Sequence, residues 1–275
     1  MFIFRLLSFI VFIILFLSSI FLESIYGHIL FAILSIFMAY FAIYEFLNVL
    51  SKLNKSSYIN ITPFIGVLII ISIMSSGNSF EPFPALLPVF AVICWVALLF
   101  AKDKKDSLEK ILNSSAALLL IVIPLCFLAV IYNQNKYLLL FLVLVTKTGD
   151  TAAYVVGMLS NKILPGGNHK IFPSISPKKS WEGTMGGLFF SIIVSVGLGL
   201  SLNLFDSSQI YILIIAGIIL FIGGFAGDLA ESSFKRACGT KDSGNIIPGM
   251  GGALDVLDSL ILNAPLFYYF CVMIK

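Results

Sequence analysis

Nine apolar runs follow one another along this chain, near residues 6–22, 29–50, 61–75, 84–101, 114–132, 137–157, 184–204, 209–227 and 254–273. A helix needs about 20 apolar residues to cross the hydrocarbon of a bilayer. Only helices and closed barrels satisfy their own backbone polar groups there. The runs therefore predict an all-α, polytopic integral membrane protein with about nine transmembrane helices. The third run is the weakest, because it is short and contains Pro63. Composition agrees, since 59% of residues are hydrophobic and 11% are charged. An ordinary soluble domain carries about 25% charged residues, so most of this surface is expected to face lipid.

The basic residues supply an independent check. Alternate connections hold Arg5; Lys52 and Lys55; Lys102, Lys104, Lys105 and Lys110; Lys162, Lys170, Lys178 and Lys179; Lys235, Arg236 and Lys241. The opposite side holds Lys136 and Lys275, while Lys147 lies within a run. The positive-inside rule then puts the N-terminus and the basic loops in the cytoplasm. An even number of helices would destroy this segregation. The loop Lys102–Lys110 is expected to be a solvated connection. Arg5 before an apolar run resembles the start of a signal peptide, yet no Ala occurs before Ala32 to build an A-x-A-like cleavage site. A retained first helix is expected. Cys94, Cys126, Cys238 and Cys271 have no metal-ligand spacing.

The chain divides by character into residues 1–140, apolar helices joined by short polar loops, and 141–275, where charge enters the apolar pattern. In the first part the exception is Glu45, which is expected to reach water at the end of its helix; the other reading is a pair inside the bundle. In the second part the stretch 227–258 gathers Asp228, Glu231, Lys235, Arg236, Lys241, Asp242, Asp255 and Asp258 among many glycines. A carboxylate at the centre of a membrane helix costs about 2.5–3.5 kcal/mol on insertion scales. Asp255 and Asp258, at i and i+3, share one helix face, where two carboxylates repel unless a cation or proton lies between them. A hard divalent ion meets that need. The bland reading is a solvated helix start, where aspartate suits the dipole. Lys147 and Asp150, also three apart, read either as a mutual salt bridge or as part of a site. Gly183 with Gly187, and Gly223 with Gly227, have the spacing that lets helices approach closely.

The stretch 227–258 resembles the signature of the phosphatidate cytidylyltransferase (CDP-diacylglycerol synthase) family. Ser232, Lys235, Arg236, Lys241, Asp242, Gly244, Pro248, Gly249, Gly251, Gly252, Asp255 and Asp258 fall in place. Two positions depart: Met250 stands where the family has histidine, and Val256 where it has arginine. Upstream, Asp150-Thr-Ala-Ala-Tyr154 and Ser176-Pro-Lys-Lys-Ser-Trp-Glu-Gly183 resemble family motifs in the expected order. The resemblance covers roughly residues 145–262.

It implies that CTP and phosphatidate react to CDP-diacylglycerol and diphosphate, at a site in the C-terminal half on the cytoplasmic face of the inner membrane. It implies Mg²⁺ held by Asp228, Asp255 and Asp258, with room for a second, monovalent cation. Asp228, Lys235, Asp255 and Asp258 are the expected catalytic residues. Asp150, Tyr154, Ser176, Lys178, Lys179, Ser232, Arg236, Lys241, Asp242, Gly249, Gly251 and Gly252 are the expected substrate contacts. Partners are the two substrates and membrane lipids, with a homodimer compatible and no nucleic acid. A CTP-dependent lipid kinase is the alternative enzyme. A secondary transporter is the alternative from another class, disfavoured because most charges lie at helix ends and the halves look unlike each other.

Overall fold

The computed structural model describes residues 2–22, 25–77, 82–205 and 209–274, with side chains outside positions 2–6, 9 and 82–88. The side chain of Arg5 and the terminal Lys275, both used in the charge argument, lie outside the described residues. All nine apolar runs are helical: α1 (Phe2–Phe21), α2 (Ile25–Ser51), α3 (Thr62–Ser75), α4 (Pro82–Phe100), α5 (Lys104–Ala117) continued by α6 (Ile123–Gln134), α7 (Lys136–Ile163), α8 (Trp181–Ser201), α9 (Ile210–Ala237) and α10 (Ala253–Met273). Among the described residues, six helices are long and apolar enough to cross a membrane: α2, the continuous Lys104–Gln134, α7, α8, α9 and α10. Ile10–Phe21, Thr62–Ser75 and Val89–Phe100 are shorter apolar helices.

The chain forms two compact units, one of residues 1–134 with 237–257 and one of residues 135–236 with 258–275. In the first, Ile43, Leu47, Ile70, Ile73 and Ile121 form a fully enclosed core. Pro63 opens α3, where its missing N–H is not needed, rather than interrupting it. The basic segment near 102–110 is helical, in contrast to the loop expected. Asp103 caps α5 by accepting from the N–H groups of Lys105 (2.9 Å) and Asp106 (3.1 Å). A π-helical turn, Leu118–Val122, joins α5 to α6.

In the second unit α7 and α8 lie side by side over much of their length. A methyl group at Gly183 would stand 2.5 Å from the carbonyl oxygen of Ala153, and one at Gly187 would stand 2.8 Å from that of Gly149. The expected close approach at these glycines is present, within the chain. Phe141 stacks on Phe267 with centroids 5.5 Å apart. The all-α expectation holds, with one short strand pair added among the described residues. Lys170–Phe172 (β1) pairs antiparallel with Ser176–Ser180 (β2), a hairpin between α7 and α8. Pro177, lacking a donor, is tolerated in such an edge strand. Ser180 then caps α8, its hydroxyl accepting from Gly183 N–H at 3.2 Å.

Candidate active site

Asp228 and Glu231 occupy successive turns near the end of α9, and Asp258 lies early in α10. Carboxylate oxygens from all three lie within 4.8 Å of one another. Gly227 makes this meeting possible, because a Cβ there would stand 3.2 Å from Ser259 Cα and would press on the Asp258 carbonyl. Only a residue without a side chain lets the two helices touch at this level. Glu231 is buried, and the Asp258 side chain is 15% exposed against 37% for Asp228. Ser232 donates its hydroxyl to Asp228 Oδ1 at 3.3 Å, and Ser259 N–H donates to Asp258 Oδ1 at 2.5 Å.

Three carboxylates this close repel strongly, and each has its own ammonium group. Lys179 Nζ lies 3.0 Å from Asp228 Oδ2, Lys235 Nζ 2.5 Å from Glu231 Oε2, and Lys147 Nζ 3.6 Å from Asp258 Oδ1. Lys147 also stands 3.8 Å from Asp150 Oδ2 and donates to Ser259 Oγ at 2.8 Å. Lys147 and Asp150 therefore pair, as one of the two sequence readings has it, and Lys147 also reaches Asp258 of the acidic cluster. Lys179 reaches inward from the hairpin, donating to the Phe225 carbonyl at 3.1 Å with its charge 4.0 Å from the Phe225 ring centroid.

Glu231, which the expected metal set does not include, stands with Asp228 and Asp258 in this cluster. Asp255 belongs to the other compact unit. Asp255 Oδ2 accepts from Ser243 Oγ (2.8 Å), Ser243 N–H (3.3 Å) and Gly252 N–H (2.7 Å). These bonds close the glycine-rich loop before α10. Gly249 and Gly251 take φ of 79° and 100° there, a region that favours glycine. Lys241, Asp242 and Gly249 are exposed on this loop, whereas Gly252 is buried.

Glu45 overturns its expectation. It is 2% exposed, and Oε2 accepts from Leu254 N–H at 3.0 Å and from Ser243 Oγ at 3.2 Å. The signal that could have found it is its position as an ionisable side chain in the apolar first half, which in a membrane protein marks function by default. The other expected contacts are spread more widely. Ser176 begins β2 and Lys178 is exposed on it. Arg236 directs its Nε at the Ile175 carbonyl, 3.5 Å away at the hairpin turn. Tyr154 is 58% exposed on α7.

Residues 3–274 match the cytidylyltransferase family. The chain belongs to that family. This cytidylyltransferase is 31% identical over 256 residues to the phosphatidate cytidylyltransferase of Staphylococcus saprophyticus, covering 90% of this chain and 92% of the relative. It is 42% identical over 134 residues to the phosphatidate cytidylyltransferase of Staphylococcus haemolyticus, covering 49% of this chain and 48% of the relative. It is 41% identical over 133 residues to the uncharacterized protein YnbB of Escherichia coli K12, covering 48% of this chain and 42% of the relative. The last two matches thus span less than half of each relative. Membership places this cytidylyltransferase among nucleotidyl-transferring enzymes and away from the transporter reading.

Proposed function

We propose that this cytidylyltransferase transfers the cytidylyl group of CTP to phosphatidate, forming CDP-diacylglycerol and diphosphate. The observation that carries the reading is the cluster Asp228–Glu231–Asp258 with a lysine on each carboxylate, in a chain matched end to end by the cytidylyltransferase family. A phosphate oxygen of phosphatidate bonds to the α-phosphorus of CTP, and the bond from that phosphorus to the β-phosphate oxygen breaks. The nucleophile is already an anion, so no strong base is required. Catalysis then rests on holding two polyanions in line and offsetting their charge.

Lys179, Lys147 and Lys235 are assigned to that task, each able to leave its carboxylate for a phosphate oxygen. Carboxylate oxygens are the hard donors that Mg²⁺ prefers, and Asp228, Glu231 and Asp258 would hold it, where it would neutralise phosphate charge. In the glycine-rich loop, backbone N–H groups with no Cβ beside them offer an approach for phosphate, and Lys241 is exposed on the same loop. Asp255 shapes that loop through its bonds to Ser243 and Gly252. The chemistry is assigned to the C-terminal region 141–275 at the cytoplasmic face of the inner membrane. The one-sided placement of the basic residues supports this side, and CTP is a cytosolic solute.

The test is purified protein with CTP, phosphatidate and Mg²⁺, followed by lipid chromatography and a diphosphate assay. CDP-diacylglycerol and diphosphate in equal amounts are expected. Release of CDP with a newly phosphorylated lipid would instead identify a kinase, and no conversion would overturn the reading.

A further inference from the structure

Glu45 is a carboxylate in the chain's apolar first half, yet its hydrogen-bond partners among the described residues lie in the signature stretch. Oε2 takes the N–H of Leu254, in the first turn of α10, and the hydroxyl of Ser243. Ser243 has one hydroxyl hydrogen and two carboxylates in reach, Glu45 at 3.2 Å and Asp255 at 2.8 Å, so it couples them into one assembly. The loop closes round the Glu45 carboxyl with no space left over. A Cβ added at Gly244 or at Gly252 would each stand 2.6 Å from Glu45 Cδ. Oε1 is fully enclosed. Burying a carboxylate is expensive unless it is hydrogen-bonded, and here the bonds that offset the cost come from the loop.

We infer that Glu45 is a positioning residue for the nucleotide: from α2 it fixes the backbone of Ser243–Leu254 in the conformation that receives the phosphates of CTP. The inference rests on the cytidylyl-transfer reading for its ligand, and on the hydrogen bonds alone for its mechanics. Glu45 acts through the backbone of the loop, not on the reacting atoms. Its effect is confined to the loop, and so to the affinity for CTP rather than for the lipid.

Three variants test it: Glu45→Ala, Glu45→Gln and Gly244→Ala. Glutamine keeps the length and an acceptor oxygen for Leu254 N–H, while Gly244→Ala pushes the loop off an intact Glu45. Glu45→Ala is expected to raise the KM for CTP by about tenfold or more, with the KM for phosphatidate within about twofold of the parent. Glu45→Gln should recover most of the loss, and Gly244→Ala should reproduce it. An unchanged KM for CTP in either alanine variant overturns the inference, as does an equal rise in both KM values that glutamine leaves uncorrected. Should Glu45→Ala fail to reach the membrane, Gly244→Ala and Glu45→Gln decide by the same criteria. Hydrogen exchange of the 243–255 peptide, measured without substrate, separates this inference from the assigned reaction. Faster exchange in Gly244→Ala, with Glu45→Gln near the parent, is expected even if the parent makes no CDP-diacylglycerol. Parental exchange rates in Gly244→Ala would overturn the clamp whatever the reaction proves to be.

Discussion

Lys179 Nζ stands 3.0 Å from Asp228 Oδ2, held from behind by the Phe225 carbonyl at 3.1 Å and by the Phe225 ring. The lysine side chain is only 14% exposed, so this pair is shielded from water and feels less screening than a surface pair. A cation bound at Asp228 must contend with an ammonium already there. Lys179→Met is therefore expected to lower the Mg²⁺ concentration needed for half-maximal activity while reducing turnover by about a hundredfold, since a phosphate ligand is lost. Titrating activity against Mg²⁺ in the parent and the variant checks both. An unchanged Mg²⁺ dependence would mean that Lys179 and the metal do not share Asp228.

Asp258 and Asp255 share the first turns of α10 but have different partners, and their asparagine variants should differ accordingly. Asp258→Asn removes a charge from the acidic trio and is expected to cut turnover by about a hundredfold or more, with membrane insertion intact. Asp255→Asn keeps an acceptor oxygen for Gly252 N–H and should be milder. Initial rates at saturating CTP and phosphatidate rank the two. Equal losses would place Asp255 in the metal set beside Asp258.

Gly227 carries the approach of α9 to α10. Gly227→Ala should destabilise the protein by about 1–3 kcal/mol, as overpacking does, because the new methyl meets the Asp258 carbonyl. It should also reduce activity by displacing Asp258 from Asp228. Thermal unfolding in detergent, paired with the transfer assay, measures both effects. A stable and fully active variant would show that the helices have slack at this level.

Cysteine introduced at Lys178 or Asp242, both exposed, should resist an impermeant thiol reagent applied to intact cells and react after permeabilisation. Labelling from outside would reverse the proposed orientation.

Met250 and Val256 depart from the family signature, and the bond observed at Met250 is made by its backbone N–H, which donates to the Ile247 carbonyl at 3.0 Å. Met250→His and Val256→Arg should therefore change the rate little or lower it. A gain of tenfold, equivalent to about 1.4 kcal/mol of barrier, would show that the departures weaken the enzyme.

What could be read in the sequence follows the range of each interaction. Helices are legible because a twenty-residue apolar run is a local signal, and the glycine spacings mark faces where a helix comes close without naming its neighbour. Asp228 and Asp258 were legible because charge in an apolar segment stands out. Glu231 stands out as a charge but not as a partner of Asp258, since spacing along one helix does not reveal which residue of another it meets. Glu45 and Ser243 are 198 positions apart, beyond any local pattern. The hairpin at 170–180 is not legible, because two short polar strands leave no apolar period.

In β2, side chains alternate between faces, and the effect is visible in two neighbours of identical chemistry: Lys178 is exposed, while Lys179 turns inward to Asp228. Which of the two lysines serves the carboxylate is thus decided by strand register, not by the residue itself. Deleting or inserting a single residue in the turn at 173–175 would exchange their places while leaving the composition of the motif almost untouched. Two sequences that look equally basic at this point would differ in which charge faces Asp228 and which faces the solvent, so the length of that turn is as much a determinant of the pairing as the lysines are.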